Sequence, residues 1–337
     1  MKHLVYLGNK LSSAGRTVST IETLSALLRT EGFTVTTASS YKNKGARLLD
    51  MLWTIIRHAK TVDYVLIDTY STQNFYYAYL CAQLCRLLAI PYIPILHGGN
   101  LPNRLKRSPK LSASIFKHAH VNSAPSEYIK TAFAQNGYTN VSCIPNSIDS
   151  NVYLFKHRTM ETINLLWVRS FSEIYNPKLA VRILQGLQSR GIKARLCMVG
   201  PEVDGALAAT KRYAETLDVE VTFTGKLSKA EWISLSDDYN VFINTTNFDN
   251  MPVSVIEAMA LGLPVVSTNV GGMKYLIQHE ETGVLVPPDD AEAFVEAILN
   301  LQRDTPRRKQ WVLKAREHAE TYDWNTVKKL WINTLCE

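Results

Sequence analysis

The sequence predicts an α/β protein with two domains, each built around a parallel sheet. Its 337 residues are about twice a common single-domain length, so two hydrophobic cores are expected. Short apolar runs alternate with longer helical patterns along most of the chain, which is typical of parallel α/β folds. Hydrophobic residues at 46% and charged residues at 20% are ordinary globular values, which excludes fibrous and disordered classes.

The first series of alternating elements occupies the N-terminal half. Its strands are expected at residues 3–7, 33–37, 64–68, 92–96, 120–123 and 141–145, and helical stretches at 19–30, 47–60, 74–89 and 126–136. Residues 75–96 contain only one charge, Arg86, and imitate a membrane span, but Pro91 and Pro94 interrupt them. We interpret this segment as a helix followed by a buried strand and predict no transmembrane helix.

A second series fills the C-terminal half, with strands expected at residues 164–168, 194–199, 221–223, 239–244, 264–267 and 283–286. The polar stretch 146–162 shows neither helical nor strand period and is interpreted as a linker. We predict an N-terminal Rossmann-like domain over 1–155 and a C-terminal one over 156–321. The helix over 322–337 could pack on either domain, including back on the first. Two such domains would face each other across a cleft, with ligands at the carboxyl ends of the strands.

The positive charge of the chain is concentrated in its first half. Residues 1–157 hold 17 Lys and Arg against 7 Asp and Glu, whereas residues 158–337 hold 20 against 23. Anionic lipid, nucleic acid or an acidic small molecule could exploit this asymmetry, and a merely soluble basic surface is the alternative. No nucleic-acid-binding motif accompanies the charge, so we predict no nucleic acid partner.

The five cysteines form no CxxC pair and are odd in number, which fits a reducing compartment and a cytoplasmic protein. Cys81 and Cys85 are four residues apart in an apolar helical stretch. We interpret them as small buried thiols rather than as a metal or redox site.

The segment NTTNFDNMPVSVIEAMALGLPVVSTNVGG, residues 244–272, carries the clearest chemistry. A helix that starts near Pro252, directly after a strand, presents free backbone amides to phosphate oxygens. Asp249 and Glu257 lie on either side of those amides, where carboxylates can accept hydrogen bonds from sugar hydroxyls. The alternative is that Asp249 caps the helix and Glu257 is an ordinary surface residue.

This segment resembles the signature of glycosyltransferase family 4, which contains retaining enzymes of the GT-B type with two Rossmann-like domains. In that signature two glutamates are separated by seven residues, and here Asp249 and Glu257 occupy the two positions, the second within EAMALGLPVV. The resemblance continues through VGG, TGVLVPPDD, VGP, VTFTGKLS, IPNSID and LHGG, and so covers nearly the whole chain.

The resemblance implies a role for each matching residue of the second half. Glu257 would bind the ribose of a nucleotide and Asp249 the transferred sugar. Arg169 would neutralise the departing diphosphate, whose negative charge grows as the glycosidic bond breaks. The backbone at Met251, Val253 and Ser254 would contact sugar and phosphates, and Gly225 with Lys226 would line the base pocket.

In the first half, the loop 7–17 lies between the first strand and the first helix and is not a GxGxxG fingerprint, which argues against a dehydrogenase. The resemblance implies that Gly15 belongs to a loop that approaches the diphosphate or the acceptor. It also implies that His97, in LHGG, faces the reacting sugar as a catalytic residue.

Two departures from the family pattern concern the donor. Asp249 is one methylene shorter than the family glutamate, and Tyr175 occupies the place of a phosphate-binding lysine. Lys178, Arg16 or Lys226 could supply the missing cation. No metal clamp is recognisable, because the acids at 237–238 and 289–290 are better interpreted as helix-end and turn residues.

We therefore predict a metal-independent, retaining hexosyltransferase with no cofactor besides its nucleotide diphosphate sugar, acting on a glycan or lipid-linked acceptor. A sugar-nucleotide epimerase or hydrolase, and a non-catalytic nucleotide-sugar binding protein, are the alternatives. The basic helix within 42–60 predicts peripheral contact with an anionic membrane face, through Lys42, Lys44, Arg47, Arg57 and Lys60. Its apolar side should pack on the N-terminal sheet.

Overall fold

The computed structural model describes residues 2–11 and 19–336, which form two compact units. The first unit comprises residues up to Pro145 together with the C-terminal stretch from Asn325, and the second comprises Asn146–Trp324. The first unit ends before the predicted boundary at residue 155. Residues of the proposed linker pack within the second unit instead, where Ile148 N donates to Tyr322 O at 2.9 Å.

The first unit contains a six-stranded parallel sheet in the order β2-β1-β3-β4-β5-β6. Its strands are β1 His3–Leu7, β2 Thr34–Ala38, β3 Tyr64–Thr69, β4 Tyr92–Leu96, β5 Asn122–Ala124 and β6 Val141–Cys143. Its helices are α1 Thr20–Thr30, α2 Lys44–His58, α3 Asn74–Leu87, α4 Leu101–Arg107, α5 Pro109–Phe116 and α6 Glu127–Gln135. Periodicity does not predict α4 and α5, because each is short and has a proline in its first turn, where proline starts a helix rather than breaks it.

The second unit contains a six-stranded parallel sheet in the order β12-β11-β10-β7-β8-β9. Its strands are β7 Ile163–Val168, β8 Ala194–Val199, β9 Val221–Gly225, β10 Val241–Asn244, β11 Val265–Thr268 and β12 Val284–Val286. Its helices are α7 Pro177–Gln188, α8 Ala206–Thr216, α9 Lys229–Leu235, α10 Val253–Ala260, α11 Met273–Leu276, α12 Ala291–Arg303 and α13 Thr305–Glu320. The final helix, α14 Trp324–Cys336, lies almost wholly in the first unit, where Lys328 Nζ is 3.1 Å from Glu31 Oε1.

Both faces of the second sheet are buried, as expected for parallel strands between two helical layers. Along β7, Leu165 and Trp167 belong to one hydrophobic cluster and Leu166 to the other, since successive side chains point to opposite faces. Because both faces are covered, the edge at the carboxyl ends of the strands is where a ligand can reach the sheet.

Helix α2 differs from its prediction in two respects. It begins at Lys44, earlier than residue 47, because the Asn43 side chain caps it by accepting from the next helical amides. Arg47 is buried and donates to backbone carbonyls. The prediction that Arg47 contributes positive charge to a membrane-facing surface is therefore wrong. The sheet buries only one stripe of the helix and leaves Leu49 69% and Trp53 61% exposed.

Among the described residues, no helix is both long and apolar enough to cross a membrane. The segment that imitated a span is α3 followed by β4, which confirms its interpretation as a helix and a buried strand. Cys81 and Cys85 are free, buried thiols on α3, as predicted, and burial raises the pKa of Cys85 to about 12.

Candidate active site

Arg169 and Asp249 lie where the strand order of the second sheet reverses. β7 and β10 are neighbours in that sheet, but the chain leaves them towards opposite edges. Parallel α/β sheets bind ligands at such a point, beside the carboxyl ends of the strands. Arg169 follows β7 directly, and Asp249 belongs to the loop between β10 and α10. The topology therefore unites two side chains that are 80 positions apart in sequence.

An ion pair joins these two side chains, with the Arg169 guanidinium donating to the Asp249 carboxylate. Cζ of Arg169 also lies 4.0 Å from the ring centroid of Tyr175, within cation–π range. Nε of Arg169 is buried and has no hydrogen-bond partner among the described residues. Tyr175, at the position where the resemblance implies a phosphate-binding lysine, therefore contacts the arginine through its ring.

Two glycines of the sequence motifs allow close backbone packing around this pair. A Cβ on Gly271, in VGG, would lie 2.0 Å from the carbonyl oxygen of Asp249. A Cβ on Gly200, in VGP, would lie 1.8 Å from the carbonyl oxygen of Arg169. Both distances are far below van der Waals contact, so only glycine fits at either position.

The start of α10 lies directly behind this loop. Its first backbone N–H groups, including those of Val253 and Ser254, have no acceptor within the helix, because the ladder begins one turn later. The Ser254 hydroxyl is buried and has no hydrogen-bond partner among the described residues. Met251 O accepts from Asn146 Nδ2 at 3.1 Å, which ties IPNSID to this end of the helix. Free amides and the positive end of the helix dipole favour an anion here.

Glu257 lies in the second turn of α10 and is only 3% exposed, so the surface-residue alternative is wrong. Its Oε1 accepts from the Tyr153 hydroxyl at 2.8 Å and from the ammonium of Lys229. Burial raises the pKa of Glu257, and the positive charge of Lys229 opposes that rise. The capping alternative for Asp249 is also wrong, since Pro252 holds the N-cap position and no side chain in the described part of the protein caps α10.

Lys229 is the cation of this region that the sequence motifs miss. Gly225 ends β9 with a φ of +72°, and Lys226 follows it in the turn. A capping box at 228–231 then starts α9 with Lys229 at its first position. The predicted base-pocket segment therefore leads within one turn to the lysine that contacts Glu257. The capping box predicts that a helix starts at Lys229, but the local sequence carries no signal for the contact of Lys229 with Glu257.

In the first unit, His97 contacts a residue that the sequence analysis did not single out. His97 Nε2 lies 2.7 Å from Oδ1 of Asp68, and the Tyr6 hydroxyl donates to the same oxygen at 2.8 Å. The Tyr70 ring stacks on the imidazole at a centroid distance of 5.3 Å. Asp68 closes the apolar run YVLID, and a charged residue at the carboxyl end of a buried strand was the missed signal. Gly15 lies outside the described residues.

The paired acids outside this site have structural roles. Asp237 contacts Lys156 at 2.5 Å, Asp289 accepts from Asn176 Nδ2 at 3.1 Å, and the Asp290 side chain caps α12. This confirms their interpretation as helix-end and turn residues. Across the described parts of the chain, no group of three or more His, Cys, Asp or Glu side chains could hold a metal ion.

Known proteins that are similar to this chain in sequence are glycosyl transferases. Residues 153–318 match the family model of the glycosyl transferases of group 1. A sulfoquinovosyl transferase of Arabidopsis thaliana is 30% identical over 156 residues, which are 44% of this chain and 29% of that relative. The chain therefore spans less than a third of that relative's length.

Two solved structures align with all of this chain and over their own full lengths. Sucrose-phosphate synthase from Thermosynechococcus elongatus has a TM-score of 0.81 at 16% identity. HepE of Anabaena, in complex with UDP and glucose, has a TM-score of 0.77 at 16% identity. These likenesses show the fold. The predicted fold class, α/β with two Rossmann-like domains of the GT-B type, is confirmed.

Arg169, Asp249 and Glu257 all lie within the matched residues 153–318. The resemblance inferred from the sequence is thereby confirmed. VGP, VTFTGKLS, EAMALGLPVV, VGG and TGVLVPPDD lie within the matched segment, whereas LHGG and IPNSID precede it.

Proposed function

We propose that this protein is a retaining glycosyltransferase that moves a hexosyl unit from a nucleotide diphosphate sugar to a glycan or lipid-linked acceptor. The observation that carries the proposal is the position of Arg169, at the strand-order reversal and ion-paired with Asp249 in the loop that leads to the free amides of α10. An arginine and a helix N-terminus together provide the fixed positive charge that a departing diphosphate needs.

In the proposed reaction, the bond between the anomeric carbon and the diphosphate oxygen breaks, and its electron pair stays on the diphosphate. Arg169 and the amides of Val253 and Ser254 stabilise that charge. The acceptor hydroxyl forms the new bond on the same face of the sugar, and its proton passes to the departing phosphate oxygen. We assign no carboxylate as a nucleophile, because both candidate acids bind hydroxyl groups in this scheme.

The proposed donor contacts of the acids follow from their present partners. Oε1 of Glu257 already accepts from Tyr153 and Lys229, so Oε2 is the oxygen assigned to the ribose hydroxyls. Asp249 would exchange its contact with Arg169 for one with the transferred sugar once the diphosphate engages the guanidinium. Gly225 and Lys226 would line the base pocket.

UDP-glucose is the first donor to test, since the structurally similar HepE binds UDP and glucose. Release of the nucleoside diphosphate should require both a matching sugar donor and an acceptor, and it should persist in excess EDTA. Release without an acceptor would favour the hydrolase alternative, and an isomerised donor the epimerase. Saturable binding with no turnover for any acceptor would favour the non-catalytic alternative. Loss of turnover that Mg²⁺ restores would contradict metal independence.

We place the protein in the cytoplasm, with its first unit at an anionic membrane face or acceptor. Lys42, Lys44, Arg57 and Lys60 on and around α2 are exposed, and the apolar Leu49 and Trp53 are exposed beside them. Basic residues near anionic lipid contribute roughly 1 kcal/mol each, and apolar side chains add burial in the interface. The five free thiols fit the reducing compartment that this location provides.

A further inference from the structure

Asp68 is a wholly buried carboxylate at the strand-order reversal of the first sheet. β1 and β3 are neighbours there, and the chain leaves them towards opposite edges. Asp68 is 0% exposed and lies near the carboxyl end of β3. A Cβ on Gly8, just after β1, would lie 2.2 Å from Asp68 Oδ2, so a glycine makes the room that this carboxylate occupies.

Burial of this acid is costly in a way that packing alone does not explain. Its Oδ2 has no hydrogen-bond partner among the described residues. A buried polar atom without a partner destabilises the fold, and an apolar side chain would avoid that cost. Burial first, and the charge of Asp68 next, raise the pKa of Tyr6 and of Tyr70, so both remain protonated phenols.

The other carboxylate oxygen holds His97 in one orientation. His97 Nε2 lies 2.7 Å from Asp68 Oδ1, and a carboxylate accepts, so this nitrogen carries a proton. The backbone N–H of His97 donates to Thr69 O at 3.1 Å, and the Tyr70 ring covers one face of the imidazole. Nδ1 has no hydrogen-bond partner among the described residues. It is thus the ring nitrogen available to a ligand.

We propose that Asp68 is a positioning residue for His97, fixing the imidazole tautomer and ring plane so that Nδ1 is presented to the sugar substrates. This proposal rests on the proposed glycosyl transfer and adds to it a residue outside the sequence motifs. A buried aspartate that holds a reactive histidine in the correct tautomer is a strong lever on rate. In the serine protease triad, its replacement by asparagine costs about 10⁴-fold in kcat.

Asp68→Asn is the central variant, because it keeps the shape and removes the fixed acceptor. We expect kcat to fall by about 10²-fold or more, with a donor KM close to that of the wild type. Asp63→Asn is the matched control: Asp63 lies at the opposite end of β3, is exposed, and accepts from the His3 backbone. Its turnover should equal that of the wild type. Equal turnover by the Asp68 and Asp63 variants would overturn the proposal.

A double-mutant cycle with His97→Gln tests whether Asp68 acts through the histidine. In the His97→Gln background, Asp68→Asn should cost less than threefold, because the group that it positions is already absent. A full additional loss of 10²-fold would show that Asp68 acts independently and would overturn the proposal.

Nitrogen-15 NMR of the histidine-labelled wild type measures the tautomer without any substrate, so it stays informative if no donor is turned over. The His97 signals, assigned by their loss in His97→Gln, should show the neutral ring protonated at Nε2. Asp68→Asn should move part of the population to Nδ1, whereas Asp63→Asn should not. A wild-type ring protonated at Nδ1 would overturn the proposal even if Asp68→Asn failed to fold.

Discussion

The two units place carboxylates at equivalent points of their sheets but surround them differently. In the second unit, Asp249 contacts Arg169 and Glu257 contacts Lys229, so each acid has a cationic partner. In the first unit, Asp68 receives its hydrogen bonds from a phenol and an imidazole. Both arrangements stabilise a carboxylate that is at least partly buried. Among the described residues, cations that an anionic ligand can recruit lie beside the acids of the second unit.

This difference indicates a division of chemistry between the units. Lys229 is about half exposed and Arg169 has a buried Nε without a partner among the described residues, so both can rearrange around a diphosphate and a ribose. Asp68 has no such freedom, because Gly8, Tyr6 and His97 surround it. We therefore assign donor binding to the second unit and histidine positioning to the first.

The largest effect is expected for Arg169→Ala. Removing a group that stabilises charge in the transition state costs about 10²- to 10³-fold in kcat. Arg195→Ala is the matched control, because Arg195 belongs to the same unit but is exposed and bonds Asn164. Initial rates of nucleoside diphosphate release measure both. Near-normal turnover by Arg169→Ala would remove the basis for assigning the donor to this unit.

Glu257→Gln should weaken nucleotide binding by about 10- to 100-fold, since a hydrogen bond to a charged group contributes about 1.5–3 kcal/mol. Calorimetric titration of the donor's nucleoside diphosphate measures the loss. Glu281→Gln, which changes an exposed acid paired with Lys314, is the control and should bind like the wild type. Unchanged affinity in Glu257→Gln would exclude its assignment to the ribose.

Glu257→Gln should weaken nucleotide binding but raise the free energy of unfolding at high pH. The pKa of Glu257 is raised above its ordinary value of 4.5 by burial. The folded protein therefore binds this proton more tightly than the unfolded chain, and the stability contributed by Glu257 falls as pH rises from about 4.5 through the raised value. Glu257→Gln should melt above the wild type at pH 8 and close to it at pH 5. A lower melting temperature at pH 8 would contradict this account.

Tyr175→Leu should lower turnover by about 2- to 30-fold, the equivalent of a cation–π contact of about 0.5–2 kcal/mol on Arg169. Tyr175→Phe keeps the ring and should retain wild-type rates, which separates the platform from the hydroxyl. Equal rates for the leucine and phenylalanine variants would show that the ring does not hold the guanidinium.

The smallest effect is expected at the surface of the first unit. Leu49→Ser should lower the fraction of protein that sediments with anionic vesicles at low salt by about half, because it removes apolar area beside the basic residues. Leu154→Ser is a matched control in the second unit, since both leucines are 69% exposed. Equal sedimentation of both variants, or salt-insensitive binding to neutral vesicles, would contradict a membrane-facing first unit.

Arg169 could be singled out from the sequence only by its match to the family arginine, whereas Asp249 and Glu257 both lie within the contiguous segment 244–272. Their motifs also encode the close packing around them, as Gly271 against Asp249 shows. The pairing of Arg169 with Asp249 could not be predicted, since it depends on β7 and β10 being neighbours despite the two strands between them in the chain.

Contacts between separate segments account for the residues that were missed. Tyr153 and Glu257 are 104 positions apart, and Asp68 and His97 are 29 apart. β3 and β4 pair with Thr69 opposite Leu96, which places Asp68 and His97 at the same sheet edge. The sequence carried a usable signal for this contact. Asp68 lies at the end of one buried strand, and His97 directly follows the next strand. The ion pair between Lys229 and Glu257 differs in this respect. The local sequence indicates that a helix starts at Lys229, but it does not indicate that Lys229 contacts Glu257.

The most direct test of donor binding in the second unit is one calorimetric series. The nucleoside diphosphate of the preferred donor is titrated into the wild type, the Arg169→Ala Glu257→Gln double variant and Asp68→Asn. We predict saturable binding to the wild type, the same affinity within about twofold for Asp68→Asn, and a loss of at least 100-fold for the double variant. Wild-type affinity in the double variant, or loss of binding in a folded Asp68→Asn protein, would contradict the assignment.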